Sequence, residues 1–409
     1  MKIIMKKENL FIRVAIGFVI GIVLGLVIPA ISIQTKVVGD IFLTMVKMMI
    51  IPIVFCAVCG GIANISDPAI LKRIGVKTVF LYVILFIVSA VLSLGVAYFF
   101  RPGLNINFEN TPVYEGTVAD MPTVSSFLIN IFPSNIIDSA AKGSILPVIL
   151  FTIIFAVSIV SIGKKAQPVL DFVNGLSSVF YKMLDMIMQI SPIGVMSLMA
   201  FSVATYGPGI FTALGKYILT CYVACILTFI VVMFIPTVLY TKLNPLKLLK
   251  ACGKVAMVTL ATTSSAAALS TSIKVSTEDL KAPRGITEFT LPLGCTINMC
   301  GGACSFCCLA VFVTDFYNLS LPLTSMIVLI LVATLLNMAA PGIPGGGIVL
   351  GVSFLTIMGL PFDLMGPISA IYRILDMAFT TINVEGDIVA NLMIAKSEKE
   401  WHGKDVNVA

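Results

Sequence analysis

The run VAMVTLATTSSAAALSTSIKV, residues 255–275, and the run MIVLILVATLLNMAAPGIPGGGIVLGVSFLTI, residues 326–357, decide the fold. Each is apolar at both ends and interrupted in the middle. The first breaks at Thr262-Thr263-Ser264-Ser265, the second at Pro341-Gly342-Ile343-Pro344-Gly345-Gly346-Gly347. As helices rising ~1.5 Å per residue, the arms are too short to cross ~30 Å of hydrocarbon. Backbone left unpaired at membrane depth is tolerated only inside protein or against a water-filled cavity. Both runs therefore read as re-entrant helical hairpins with buried tips, occupying 247–276 and 321–360. Interrupted segments at matching places in two halves point to a transporter's binding site.

The rest of the chain supplies the membrane around them. Of its 409 residues, 58% are hydrophobic and 11% charged, against about a quarter charged in soluble domains. So little charge cannot cover a water-exposed surface of this size, and lipid must face most of it. Stretches near the ~20 apolar residues a span needs run Leu10–Ala30, Ile41–Ile62, Thr78–Phe100, Val124–Ile162 (broken by Pro133 and Pro147), Val169–Thr205 (broken by Pro192), Ile210–Leu239, Ile286–Val313 and Leu364–Ala395. The expected architecture is an all-α membrane protein with eight transmembrane helices and two re-entrant hairpins. Helices 1 and 2 fall in 1–75, helix 3 in 76–100, helices 4–6 in 123–240, helix 7 in 285–314 and helix 8 in 362–397. The basic start, Met1 to Arg13, leads into a first span with no small-residue cleavage site, which reads as retained. Lys2, Lys6, Lys7, Lys72, Arg73, Lys77, Lys164, Lys165, Lys242, Lys247 and Lys250 all fall on one side if the spans alternate, and that side is cytoplasmic. Both termini are then cytoplasmic, the protein lies in the cell's inner (plasma) membrane, and the polar segment 101–122 is an extracellular loop. The hairpins enter from opposite sides as an inverted repeat. Residues 398–409 read as a solvated cytoplasmic tail.

Several function classes drop out. No basic patch is interleaved with exposed aromatics, which argues against nucleic acid. Ten cysteines include the cluster Cys300, Cys304, Cys307 and Cys308, but none of the spacing is that of a zinc ribbon; they read as small hydrophobes between helices. His402 is the one histidine and stands in the polar tail. Without GxSxG or HExxH there is no enzyme signature, and without TVGYG no filter of a potassium channel.

The last span carries the chemistry. Asp376, Thr380, Asn383 and Asp387 fall in one stripe at 3.6 residues per turn. An intramembrane carboxylate is a functional candidate because burying it unpaired is expensive. Two of them, with an amide and a hydroxyl between, suit a cation and an ammonium group. The structural alternative is an ion pair of Arg373 with Asp376, one turn apart. Glu385 points to the opposite face and reads as a packing contact. In the seventh span, LPLGCTINM at 291–299, Pro292 and Gly294 are expected to break the helix and free carbonyl oxygens, hard ligands for a hard cation, with Asn298 adding a neutral oxygen.

These stretches, with KMMIIPIVF in the second span, the serine-rich first tip, GIPGGG in the second and LDM…T…NV.GD in the last span, resemble the dicarboxylate/amino acid:cation symporter family over essentially the whole chain. The resemblance implies a homotrimer in membrane lipid, each protomer having a trimerisation scaffold and a transport domain that moves like an elevator. It implies that Asp376 holds a substrate α-amino group, that Thr380 and Asn383 form the polar pair beside it, and that backbone amides at Ser264 and Ser265 meet the α-carboxylate. It further implies one sodium (Na+) site at Gly294, Asn298, Asn383 and Asp387, and a second at Thr296 with carbonyls near Asn337 and Ala340. Gly342, Pro344, Gly345 and Gly347 would let the second hairpin act as gate.

The departures are informative. Where acidic-substrate members carry an arginine three residues after the aspartate, this chain has Phe379. Where they carry a threonine after their NMDG motif, it has Gly302. A substrate side-chain carboxylate would be buried without a cation, at a cost of several kcal/mol, so a neutral amino acid is expected: Ser, Thr or Ala, or a larger apolar one against Phe379. The NMDG aspartate is Cys300 here and the third-span hydroxyls around Leu85 to Val88 are apolar, so fewer than three sodium ions are expected. An acidic amino acid or dicarboxylate, which Arg373 could serve, and a proton-coupled carrier or exchanger stand as alternatives.

Overall fold

The computed structural model describes residues 10–63, 74–104, 129, 131–338 and 346–408. These residues are helical, joined by short turns. Among them, five stretches are long and apolar enough to cross a membrane: Pro29–Gly60, Val76–Phe100, Ile145–Tyr206, Gly209–Thr241 and Arg284–Phe316. Leu10–Val27 precedes them. Ile145–Tyr206 holds two helices, Ile145–Ile162 and Gln167–Tyr206, joined by a 3-10 turn at Gly163–Ala166. The fourth span expected from Val124 is shorter, because a separate turn of helix, Ile136–Ala141, precedes it with Asn135 as its N-cap. Only 101–104 of the expected 101–122 loop are among the described residues.

Two expected breaks are corrected. Gln167–Tyr206 runs unbroken for 40 residues through Pro192. Proline removes the N–H that would serve the carbonyl of residue 188, and Ser191 Oγ replaces it, donating to Met188 O at 2.7 Å. In the seventh span the helix continues past Pro292 and Gly294 and stops at Ile297. Asn298 (φ −87, ψ 97) and Met299 (φ −120, ψ 56) form an extended joint before Cys300–Phe316.

Both interrupted runs form pairs of helical arms. The first pairs Pro245–Thr262 with Ser265–Lys274. Asn244 caps its start, accepting from Leu246 N at 2.9 Å. The second pairs Leu323–Met338 with Gly346–Ile357; its tip, with Ala340, Gly342, Pro344 and Gly345, lies outside the described residues.

The last helix, Met365–Ser397, has 33 residues, ~50 Å of helix. Its charged residues make it too polar to read as a lipid-facing span, yet nearly all of it is buried because the hairpins and the third, fifth, sixth and seventh spans pack around it. A separate apolar cluster, including Cys56, Cys59, Ala156, Ile159 and Leu170, joins the second, fourth and fifth spans. The ten cysteines are free and buried, and no cluster of three metal-ligating side chains occurs among the described residues.

The reading of 398–409 as a solvated tail is also corrected. Trp401 is buried and donates Nε1–H to Leu280 O at 2.9 Å, at the foot of the first hairpin. A short helix follows, Gly403–Val408; Lys247 Nζ donates to Val406 O at 2.5 Å. An amphipathic ring with a polar edge explains this docking.

Candidate functional site

The joint at Asn298–Met299 and the stripe of the last helix meet in the middle of the molecule. Gly301 N donates to Asn383 Oδ1 at 2.7 Å, and Asn383 Nδ2 lies 3.2 Å from Met299 Sδ. The two helices approach so closely that a Cβ on Gly301 would stand 2.1 Å from Phe379 O.

Above this crossing lies a pocket lined by residues from both hairpins and both helices: Thr263 and Ser265, Asn337 and Gly347, Met299 and Gly302, and Asp376, Phe379, Thr380 and Asn383. Ser305, Phe306, Leu350 and Tyr372 complete the lining. Thr380 Oγ1 donates to Asp376 Oδ1 at 3.2 Å. Among the described residues, Asp376 is the one charged side chain in the lining. Phe379, Phe306, Met299 and Leu350 make the remainder apolar. Gly302 matters by its size: a Cβ there would fall 1.8 Å from Asn337 Oδ1.

Below the crossing a second set converges. Asn298 Nδ2 donates to Asp387 Oδ1 at 2.8 Å and to Asn383 O at 3.2 Å. Gly294 packs against the same carboxylate; a Cβ on it would stand 2.2 Å from Asp387 Oδ1 and 2.4 Å from Tyr82 Oη. A carboxylate, backbone carbonyls and an amide are hard oxygen ligands of the kind a hard cation takes. Gly294 O already accepts Asn298 N at 2.7 Å, one of the two bonds a carbonyl can accept. With its Nδ2 facing Asp387, the Asn298 amide would turn over to present oxygen to a cation.

The structure thus brings Gly294, Asn298, Asn383 and Asp387 to one place, and Asp376, Phe379, Thr380, Asn383, Ser265, Gly302, Asn337 and Gly347 to another. Ser264 is the N-cap of the second arm, accepting Ala267 N at 3.3 Å. Thr296 is exposed and bonds within its own helix, to Leu293 O at 2.9 Å. Asn337 lines the pocket instead. Cys300 donates to Asn298 Oδ1 at 3.0 Å, and in the helix packed along it Leu85 and Phe86 are buried. Glu385 is buried on the other face. Arg373 does not enter the pocket lining; it bonds Thr263 Oγ1 and Ala261 O at the first hairpin's tip. Tyr372, Ser305 and Phe306 were missed from the sequence. Tyr372 had a spatial signal alone, since a Cβ on Gly347 would meet its hydroxyl at 1.7 Å.

The profile of the sodium:dicarboxylate symporter family matches residues 10–397. The proton/sodium-glutamate symport protein of Geobacillus stearothermophilus is 30% identical over 408 residues, covering 97% of this chain and 96% of the relative. The C4-dicarboxylate transport protein of Pseudomonas fluorescens strain SBW25 is 29% identical, covering 96% and 90%. C4-dicarboxylate transport protein 2 of Mesorhizobium japonicum is 30% identical, with the same coverage.

Proposed function

The chain belongs to the sodium:dicarboxylate symporter family, a multi-pass membrane transporter and not an enzyme, and from that premise we propose that it drives uptake of a neutral amino acid across the plasma membrane with sodium. The observation that carries the reading is the pocket lining: a lone carboxylate, Asp376, among hydroxyls, amides and apolar side chains. Asp376 takes the substrate ammonium, with Thr380 orienting the carboxylate. The first hairpin's tip, at Ser264 and Ser265, takes the α-carboxylate. The side chain lies against Phe379, Phe306 and Leu350. A glutamate or C4-dicarboxylate, the cargo named for the relatives, would place a second carboxylate there without a cation, at several kcal/mol.

Sodium binds at Gly294, Asn298, Asn383 and Asp387. A second ion is assigned to Thr296 and the backbone carbonyl at Asn337, whose side chain lines the substrate pocket; Ala340, the other carbonyl of this expected site, lies outside the described residues. Cys300, Leu85 and Phe86 replace hard ligands at the place of a third site, so fewer than three ions are assigned. Coupling follows from Asn383, whose side chain faces the pocket while its carbonyl accepts from Asn298. Each ligand supplies part of the order the other needs. In the same reading the protein is a homotrimer, each protomer having a trimerisation scaffold to which helices 4–6 contribute in part, and a transport domain that moves like an elevator with the second hairpin as its gate.

The test is thermal stabilisation of the purified protein by each of the twenty amino acids and by succinate, with sodium or choline, at neutral and at low pH. A ligand of the native state raises the melting point by mass action. Stabilisation by a neutral amino acid in sodium alone is expected. Stabilisation by glutamate, aspartate or succinate instead overturns the substrate class; stabilisation without sodium at low pH overturns the coupling ion.

A further inference from the structure

The first hairpin's tip is a helix break inside the protein, and one side chain from another element meets part of its hydrogen-bond needs. The last carbonyls of Pro245–Thr262 have no helical partner. Arg373, from the last helix, donates to Ala261 O at 3.3 Å and to Thr263 Oγ1. The Thr263 hydroxyl donates in turn to Thr262 O at 2.8 Å. A guanidinium also suits the negative end of a helix. Thr263 itself is held at φ 48, ψ 42, a left-handed conformation that β-branched residues rarely adopt. Strain of this kind persists where the surroundings over-determine it, and it gathers at ligand clamps. The same turn puts Thr263 and Ser265 in the pocket wall and starts Ser265–Lys274, whose first N–H groups lack helical acceptors.

We propose that Arg373 is a positioning residue for the substrate's α-carboxylate: it locks Thr263 in the left-handed turn that presents the hairpin tip to the pocket, and it does so without touching substrate. Its guanidinium lies behind the tip, engaged with Ala261 and Thr263, and is absent from the pocket lining. The inference rests on reading the pocket as an α-amino acid site. The charge of Asp376, one turn away, also acts on the Arg373 guanidinium, but the hydrogen bonds of the guanidinium go to Thr263 and Ala261, and the role assigned to it is holding the tip and not contact with an acidic side chain. The arm stays docked without it, because Thr259 and Thr381 share a hydroxyl–hydroxyl bond of 2.8 Å between the same two elements.

The experiment measures amino acid affinity in saturating sodium, and sodium affinity without substrate, on the purified full chain. The variants are Arg373→Ala, Arg373→Lys, Thr263→Val and the double variant Arg373→Ala/Thr263→Val. Arg373→Ala is expected to weaken the amino acid at least about 10-fold, the scale of a lost charge-assisted bond, with sodium affinity unchanged. Arg373→Lys recovers part of the loss. Thr263→Val, which deletes the hydroxyl and keeps the branch, weakens binding in the same direction. The double variant is no worse than Arg373→Ala, because both remove one link. The proposal is overturned if Arg373→Ala binds within twofold of the parent, if sodium and substrate affinity fall together, or if the two losses add. A parent that binds acidic ligands, which Arg373→Ala then loses, overturns the pocket reading as well and makes Arg373 a direct contact. A parent that binds neutral amino acids with Arg373→Ala unchanged overturns the positioning role alone.

Discussion

Two levels of the last helix carry the same kinds of side chain and use them differently. At the upper level, Asp376 and Thr380 bond one another and face the pocket. At the lower level, Asp387 is tied to Asn298. One turn on, Asn391 accepts from Thr290 Oγ1 at 2.8 Å and donates to Thr287 Oγ1 at 3.2 Å. The upper pair lines a pocket with room for a guest, whereas the lower groups are packed directly against protein polar groups. The lower level itself divides, since Asp387 brings a charge to its amide partner while Asn391 and its threonines are neutral throughout. In the proposed reading, substrate, ion and scaffold are stacked along one helix.

The largest effect that can break this division is expected at Asp376. Asp376→Asn keeps the shape and removes the charge facing the ammonium. Losing one member of a buried charge pair costs about 2–5 kcal/mol, roughly 30-fold or more in affinity. Stabilisation by amino acid should vanish at every sodium concentration, while stabilisation by sodium alone survives. If substrate binding persists, Asp376 belongs with the structural groups and the pocket lies elsewhere.

Asp387→Asn comes next and sharpens the contrast. Its charge is assigned to the ion, so the sodium midpoint should rise by about 10-fold or more, the scale of one lost contact to a charged group. Excess sodium should restore amino acid affinity to within a few-fold. A sodium titration at fixed amino acid reads both quantities. Loss of substrate binding that no sodium concentration recovers would place Asp387 in the substrate site and erase the boundary between levels.

Much of this layout was legible in the sequence because it is written in local patterns. Apolar runs with a polar or glycine-rich interruption give hairpins by length alone, and a helical period puts Asp376, Thr380, Asn383 and Asp387 on one stripe. What was not legible depends on contacts between distant segments or on local compensation. Pro192 looked like a break, but Ser191 supplies the missing donor. Pro292 and Gly294 looked like the joint of the seventh span, yet that joint is the pair Asn298–Met299, where the polar side chain turns towards Asp387. Arg373 was one turn from Asp376 in sequence, and its partners stand 110 and 112 positions away. The lining from Tyr372, Ser305 and Phe306 has no period that separates it from ordinary packing.

Asn391→Leu tests the neutral part of the lower level. It deletes a fully buried amide and leaves Thr287 and Thr290 without their cross-helix partner, although Thr290 keeps its bond to Ile286 O at 2.9 Å. The expected cost is about 1–3 kcal/mol, the penalty of stranding buried polar groups. It should appear as a lower melting point with sodium and amino acid affinities unchanged. A shift in sodium affinity would extend the ion's surroundings a full turn below Asp387.

The smallest effect is expected where the comparison reaches its end, at the foot of the first hairpin. Trp401 Nε1–H donates to Leu280 O, and Gly403 sits so close to the turn before that hairpin that a Cβ would stand 2.7 Å from Thr241 O. The segment after the last helix therefore touches both chain connections of the first hairpin, and it does so far from the pocket in sequence and in bonding. Trp401→Phe keeps most of the apolar contact and removes one neutral hydrogen bond, about 0.5–1.5 kcal/mol. Melting should fall slightly, with amino acid affinity and sodium midpoint as in the parent. Weakened substrate binding here would mean that the hairpin's tip and foot respond as one rigid body. Unchanged binding would mean that the tip takes its position from Arg373 and Thr263, and that the upper level is set locally.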